Sequence, residues 1–300
     1  MSIASGRGGV HVVGSANVDI VVAIERVPRP GETLLGAPRG RRPGGKGFNQ
    51  AVAARRVGAA TSFSGAVGDD ADGDAIARMG ASLGIDLCGL ERSPSPTGLA
   101  EVFLLPGGEN CIVVAPGANL ALSGDKVADG RRGVAVVLAQ LEIPLPAVEA
   151  VLAAGRRHGA LTILNAAPAR DDASHLLRHA DVVVVNEVEA RALGGHAAIL
   201  AAGARAVVVT MGAAGSRIVG SDGLDVEVPA FPVDVVDTTG AGDAFCGALA
   251  AALADGASLP EAALRGSAAG SITAGELGAQ TDVLTRAAID ARVGIAAAPA

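Results

Sequence analysis

Asp237-Thr-Thr-Gly-Ala-Gly-Asp243 runs without a break into the Ala-rich stretch Ala244–Ala254. A glycine-rich turn that opens a helix can present successive backbone N–H groups, here those of Gly240, Ala241 and Gly242, at the positive end of the helix dipole. Such a turn holds an anion. Asp243 sits in the same turn, and a carboxylate repels a phosphate unless it serves a different group. Facing an acceptor hydroxyl, it can take the proton released during attack while the N–H groups stabilise charge on the transferred group. An aspartate at a helix start can equally be an ordinary cap, and a lone Gly-x-Gly-Asp leaves both readings open.

Outward from this turn, apolar runs rich in Val and Ile alternate with Ala-rich helical stretches. The predicted strands are Val10–Val13, Thr61–Ala66, Val134–Ala139, Leu161–Leu164, Val182–Val185 and Ala206–Thr210. The predicted helices are Lys46–Val57, Asp72–Leu83, Leu145–Arg157 and Glu187–Leu193. This alternation predicts an α/β fold, a Rossmann-like doubly wound and mostly parallel sheet flanked by helices. Two segments interrupt it. Residues 19–42 read as strand, Pro30-Gly31 turn and strand; residues 98–115 read as a hairpin turning at Gly107-Gly108. They form either a small separate β-sheet, a lid over one edge of the main sheet, or edge strands of the main sheet. Residues 1–300 read as one domain, with an Ala-Pro-rich tail from Gly294 that is expected to fray.

Composition excludes several classes. Half the residues are hydrophobic, yet there are five Phe and no Tyr or Trp. No charge-free run reaches the length of a membrane span, and no apolar segment follows the N-terminal residues as a secretory signal requires. A net charge of −7 and the shortage of aromatics for base stacking argue against nucleic acid as a partner. Cys88, Cys111 and Cys246 have no metal-ligand spacing and read as apolar residues in a reducing cytoplasm.

Other polar clusters fall at strand ends and helix starts. In Pro43-Gly-Gly-Lys-Gly-Phe-Asn-Gln50, Gly44 and Gly45 let backbone approach a ligand, and Lys46 and Asn49 offer donors to its oxygens. A turn with a solvated lysine is the plainer alternative. Asn17 and Asp19, two apart after the first strand, can hydrogen-bond a vicinal diol or simply cap a turn. Asn186-Glu-Val-Glu189, Thr210-Met-Gly-Ala-Ala-Gly215 and Gln140-Leu-Glu142 each close a predicted strand.

The full Asp237–Asp243 string resembles the signature of the ribokinase (PfkB-type) carbohydrate kinases, and the other clusters match that family in order from about Val10 to Asp282. The resemblance implies an ATP-dependent sugar kinase with D-ribose, phosphorylated at its 5-hydroxyl, as the leading substrate. It implies Asp243 as general base, Gly240, Ala241 and Gly242 as anion hole, and Asn17, Asp19, Gly44, Gly45, Lys46, Asn49 and Glu142 as sugar ligands. Asn186, Thr210, Met211, Gly212, Ala213, Ala214, Gly215, Gly242 and Ser267 are implied as the ATP site. Glu189 is implied to serve Mg²⁺ through water. Asp237, Thr239, Thr273, Glu276, Gly278 and Asp282 are implied to hold a monovalent cation, potassium as activator. A homodimer formed through the lid is implied too.

Three departures bear on that reading. Phe48 stands where the family has a small residue, and either packs within its helix or narrows the sugar pocket. The link between Glu189 and Thr210 leaves room for only one brief helix, near the wall expected at the adenine. Asp282 replaces a hydroxyl residue and adds charge beside the cation. Rival acceptors are a nucleoside, fructose or a keto-sugar acid; a phosphosugar needs a further Lys or Arg cluster, which the sequence does not reveal. A non-catalytic sensor on the same fold would be expected to lose Asp243 or its glycines, and both are intact.

Overall fold

The computed structural model describes residues 8–106, 110–129 and 131–297. The chain runs β1 (Gly9–Val13), β2 (Asn17–Ala23), β3 (Ala37–Gly44), α1 (Lys46–Arg56), β4 (Thr61–Gly68), α2 (Ala71–Ser82), β5 (Asp86–Ser93), β6 (Gly98–Leu104) and β7 (Asn110–Ala115). It continues through α3 (Gly124–Val127), β8 (Val134–Ala139), α4 (Leu145–Arg157), β9 (Leu161–Asn165), β10 (Val182–Asn186), α5 (Glu187–Ala192), α6 (Gly195–Ala201) and β11 (Ala206–Thr210). The hairpin β12 (Ser216–Gly220) and β13 (Asp225–Val228) follows, then α7 (Ala241–Ala254), α8 (Leu259–Ala274) and α9 (Arg286–Ala297).

One sheet has nine strands in the order β13-β12-β11-β10-β9-β8-β1-β4-β5. Strands β11 through β5 in that order pair in parallel, and β12 and β13 add an antiparallel edge. The Val-rich runs form these strands because both faces are covered. Val182 and Val184 enter one core with Val136 and Leu138, while Val183 and Val185 enter the other with Val137 and Ala139. Helices α1, α7 and α8 cover the first face, and α4 and α6 the second. The order in which successive strands are added to the sheet reverses between the parallel neighbours β1 and β8, so the carboxyl ends of these two strands open a crevice for ligands.

The two β excursions build a separate four-stranded sheet, order β3-β2-β6-β7, and are not edges of the main one. The expected turn at Gly107-Gly108 lies outside the described residues. Helix α9 continues past Gly294 to Ala297, so the described part of the expected frayed tail is helical. After α5 ends, the link to β11 carries the single seven-residue helix α6. No helix among the described residues is long and apolar enough to cross a membrane.

Helices α1 and α7 pack through small residues because the site needs both of their N-terminal turns at one point. At Gly247 an added Cβ would lie 2.5 Å from the Gln50 carbonyl oxygen and 2.7 Å from the Ala53 Cβ. The contact is with backbone, so neither side can give cheaply. Alanine in a helix interior gains up to about 1 kcal/mol over glycine, whereas overpacking costs about 1–3 kcal/mol. Gly247→Ala is therefore expected to destabilise the protein in urea unfolding; a stabilised variant would mean the two helices can separate freely.

Candidate active site

At the carboxyl ends of the central strands a cavity of about 450 Å³ collects residues from well-separated parts of the chain. Asn17 and Asp19 come from β2, Gly45, Lys46 and Asn49 from the start of α1, and Glu142 from the loop after β8. Asn186 and Glu189 come from the β10–α5 junction, and Gly240, Gly242 and Asp243 from the start of α7. Ala100, Val102, Ile112 and Val114 of the small sheet form an apolar wall. Gly44, by contrast, does not line the cavity.

Asp243 is buried, and each of its oxygens accepts from an amide: Oδ1 from Gln50 Nε2 at 2.9 Å and Oδ2 from Asn49 Nδ2 at 3.2 Å. It is not the cap of α7. That position belongs to Gly240, whose φ of +76° is left-handed and whose helix has no side-chain cap. A side chain at Gly240 would meet Ala279 Cα at 2.4 Å, so only glycine lets the turn close against this loop. The Ala241 N–H donates to the Thr238 carbonyl at 3.2 Å, so this expected anion donor is already engaged within the loop. Gly242 has open space where a Cβ would stand.

The sugar-side residues are held before any ligand arrives. Asn119, invisible to sequence reading, donates Nδ2 to Asn17 Oδ1 at 2.7 Å and to the Pro116 carbonyl at 3.0 Å. Asn17 is left with its amide nitrogen to offer the cavity. Glu142 Oε2 accepts from Ser15 Oγ at 2.5 Å and from the Lys46 N–H at 3.2 Å. Burial pushes the Asp19 carboxyl up to about 7, helped by the charges of Glu142 and Asp243. Lys46 is moved the other way in chemical sense: Asp243 above all holds its ammonium charged and raises its pKa against burial, with Glu142 and Glu189 adding to the effect.

Asn186 and Glu189 form a reciprocal capping box on α5, with Asn186 Oδ1 accepting from the Glu189 N–H and Glu189 Oε2 from the Asn186 N–H, both at 2.8 Å. Burial raises the Glu189 carboxyl above its usual range. Past Gly242 and Thr238 the cavity meets a second, mostly apolar one of about 500 Å³. Thr210, Gly212, Ala213, Gly215 and Ser267 line it, but Met211 and Ala214 do not. Sequence reading missed the opposite wall, Ala230 to Val233, and Phe245. An apolar run just upstream of the Asp237 string was its only signal.

Magnesium takes oxygen ligands and keeps several waters. Among the described residues no three His, Cys, Asp or Glu side chains converge on one point. Glu189 and Asp243 share the cavity, which suits an ion carried on phosphates and not caged by protein. At the expected monovalent-cation loop, Asp237 is buried and accepts from the Thr239 and Gly278 N–H groups, both at 2.9 Å. Thr273 Oγ1, also buried, has no hydrogen-bond partner among the described residues. Asp282 does not join them: its carboxylate is 93% exposed and paired with Arg56. The added charge is thus neutralised at the surface.

Phe48 does not narrow the sugar pocket. It is fully buried and meets Phe63 edge-on at a centroid distance of 5.7 Å, in the core behind α1. Lys46 and Asn49 face the cavity, and helical geometry turns Phe48 away from it. The fold also gathers Arg39, Arg42 and Arg56 in a cavity of about 230 Å³ beside Asp19, a basic cluster the sequence spacing conceals. Arg56 is paired with Asp282, and Arg42 Nη1 donates to the Leu277 carbonyl at 3.1 Å.

A buried, doubly oriented carboxylate beside an uncapped helix start, with a polar pocket on one side and an apolar groove on the other, defines a phosphotransferase acting on a small hydroxylated substrate. The chain belongs to the pfkB family of carbohydrate kinases, whose sequence pattern matches residues 8–286. It is 37% identical over 296 residues to a ribokinase of Haemophilus influenzae, covering 93% of this chain and 96% of that protein. It is 38% identical over 299 residues to a bifunctional ribokinase/ribose-5-phosphate isomerase A of Fructilactobacillus sanfranciscensis, covering 93% of this chain and spanning 55% of that longer protein. Its structure is similar to that of ribokinase from Thermotoga maritima, with TM-score 0.87, 32% identity, and 96% and 99% of the two chains covered. It is also similar to Arabidopsis thaliana ribokinase complexed with ribose and ATP, with TM-score 0.84, 31% identity, and 95% and 98% covered.

The elevated Asp19 carboxyl has a consequence for stability. The folded state holds that proton up to about pH 7, whereas the unfolded chain releases it near the ordinary 3.8. Stability is therefore lost as pH rises through this window. Asp19→Asn is expected to raise the melting temperature at pH 8 and to leave it unchanged at pH 3.5. An equal gain at both values would assign the effect to packing.

Proposed function

We propose that this chain transfers the γ-phosphoryl group of ATP to the 5-hydroxyl of D-ribose. The observation that carries the reading is the position of Asp243, buried between the polar pocket and the start of α7, with both oxygens oriented by amides. Asn17, Asp19, Gly45, Lys46, Asn49 and Glu142 hold the sugar, and Asp243 accepts the proton of the attacking hydroxyl. The N–H groups of Gly240 and Gly242 and the dipole of α7 stabilise charge on the transferred group, while the Ala241 N–H holds the turn through Thr238. The apolar groove along Gly212, Ala213, Phe231 and Ser267 takes the adenine end of ATP. Asn186 lies between the two ends and orients the phosphates.

Magnesium, held on the phosphates and reached by Glu189 through water, would supply charge neutralisation at the transferred group. A monovalent cation, potassium foremost, would sit among Asp237, Thr239, Thr273, Glu276 and Gly278 and stiffen the turn at Gly240; Asp282 has no part in it. Residues 19–42 and 98–115 act as a lid of this single domain and exclude water, which otherwise competes as acceptor. Ile112 and Val114 facing the cavity support that role. Val113, which points to the other face and is 56% exposed, supports a homodimer through the lid. The unpaired cysteines Cys88, Cys111 and Cys246 support a reducing cytoplasm. Removal of Phe48 from the pocket wall takes away the chief objection to ribose itself.

The test follows ADP release with ATP, Mg²⁺ and D-ribose in potassium or sodium buffer, with 2-deoxyribose, fructose and adenosine alongside. Fastest turnover on ribose, raised by potassium, is expected; activity confined to another acceptor would overturn the ribose assignment. In the same assay Asp243→Asn should lose about 10²-fold or more in kcat with ATP binding retained. Wild-type turnover in that variant would remove Asp243 as the base.

A further inference from the structure

Behind the base lies a row of amides that begins outside the substrate cavity. Gln280, in the loop after α8, donates Nε2 to the Pro43 carbonyl at 3.2 Å and to Asn49 Oδ1 at 2.7 Å. Asn49 in turn donates Nδ2 to Asp243 Oδ2 at 3.2 Å. The polarity of this row has a fixed origin. A main-chain carbonyl only accepts, so the Gln280 amide must turn its nitrogen, not its oxygen, toward Pro43. The same nitrogen faces Asn49, which must present its oxygen there and therefore its nitrogen to Asp243. Reversing any amide would set acceptor against acceptor at Pro43, at Asn49 or at the carboxylate.

The other carboxylate oxygen is held by a matching row. The Val184 carbonyl accepts from Asn165 Nδ2 at 3.2 Å, which turns Asn165 Oδ1 toward Gln50 Nε2 at 3.0 Å. Gln50 Nε2 then serves Asp243 Oδ1, and its own Oε1 accepts from Gln140 Nε2 at 2.5 Å. Both rows begin at backbone, so the base is oriented by the fold itself.

Gln280 differs from Asn49 and Asn165 in where it stands. It lines the small cavity beside Arg42, not the substrate cavity, and any effect on catalysis must pass through Asn49. The preceding residue, Ala279, is the one that packs on Gly240. One short loop thus touches the anion-binding turn with Ala279, and with Gln280 both Asn49, the partner of the base, and Pro43 at the end of small-sheet strand β3. We propose that Gln280 is a positioning residue: it sets, through Asn49, the orientation in which Asp243 meets the acceptor hydroxyl, and ties that orientation to the place of β3. The proposal rests on the kinase reading of the site.

Gln280→Glu is the discriminating variant. The introduced carboxylate cannot donate to Pro43 or to Asn49, so Asn49 turns its nitrogen toward position 280 and its oxygen toward Asp243. The kcat on ribose at pH 8 should fall about tenfold or more, as expected for a misplaced reacting group, with the KM for ATP changed by less than about twofold. Because the effect passes through Asn49, Gln280→Glu should cost less than about twofold in kcat when made in an Asn49→Ala background. A folded Gln280→Glu with wild-type kcat, or an equal loss in both backgrounds, overturns the proposal. Should that variant fail to fold, Gln280→Leu decides: a several-fold loss in kcat at constant KM for ATP supports it, and wild-type turnover overturns it. A wild-type protein that phosphorylates no sugar sinks the kinase reading and this proposal together, whereas an active wild type with an indifferent Gln280 sinks only this one.

Discussion

A carboxylate buried in the first turn of a helix, with a hydrogen-bond donor on each oxygen, is the constraint around which the rest of the molecule is arranged. Burying a charge is costly unless it is paired or hydrogen-bonded. Asp243 is satisfied from α1, through Asn49 and Gln50, so α1 and α7 must bring their N-terminal turns together. Small residues along their contact, Gly247 against Gln50 and Ala53, allow that approach. The two helices cover one face of the sheet, and their starts meet over the crevice between β1 and β8. The polar wall then follows from strand ends, and the apolar wall from the small sheet.

The division of the crevice into a polar pocket and an apolar groove gives each end of the reaction its own chemistry. Charged groups crowd the polar end: Asp19, Glu142, Glu189 and Asp243 surround the single ammonium of Lys46. Burial raises Asp19, with the charges of Glu142 and Asp243 adding to it, and the negative charge led by Asp243 keeps Lys46 charged despite its own burial. Such crowding is unfavourable in the free protein, and a hydroxyl-rich ligand relieves part of it by donating hydrogen bonds. Stability is spent here for recognition, as is common at sites of function.

Much of this was legible in the sequence, and for identifiable reasons. The strands β8 and β11 and the helix α4 have the boundaries read from pattern alone, because buried parallel strands are continuous runs of Val, Leu and Ala and α4 starts beside prolines. The nine-stranded count was not legible. Strands β5, β12 and β13 mix charged residues with apolar ones, as half-exposed edge positions do. Helices α8 and α9 were passed over because their Ala and Gly content carries little periodicity. At the site, residues next to glycine turns were found, since backbone conformation marks them. Asn119, Asn165, Gln50 and Gln280 were not, because an amide that supports another side chain across the fold leaves no local pattern. Asn186 and Glu189 show the reverse: their spacing is fully explained by a capping box, and the cavity they line is visible only in three dimensions. Phe48 shows how one step along a helix separates a pocket residue from a core residue.

The central claim is that Asp243 faces the terminal hydroxyl of a ribose held by β2, α1 and the loop after β8. The position of the new phosphate on the sugar tests it most directly. Phosphorus and carbon NMR of the product formed from ATP and uniformly ¹³C-labelled D-ribose would read phosphorus–carbon coupling at one end of the sugar. Coupling to C5 and C4 alone is the predicted result. Coupling to C1, or a product whose sugar signals are unchanged while ADP accumulates, would contradict the account, the first by reversing the sugar in its pocket and the second by making water the acceptor.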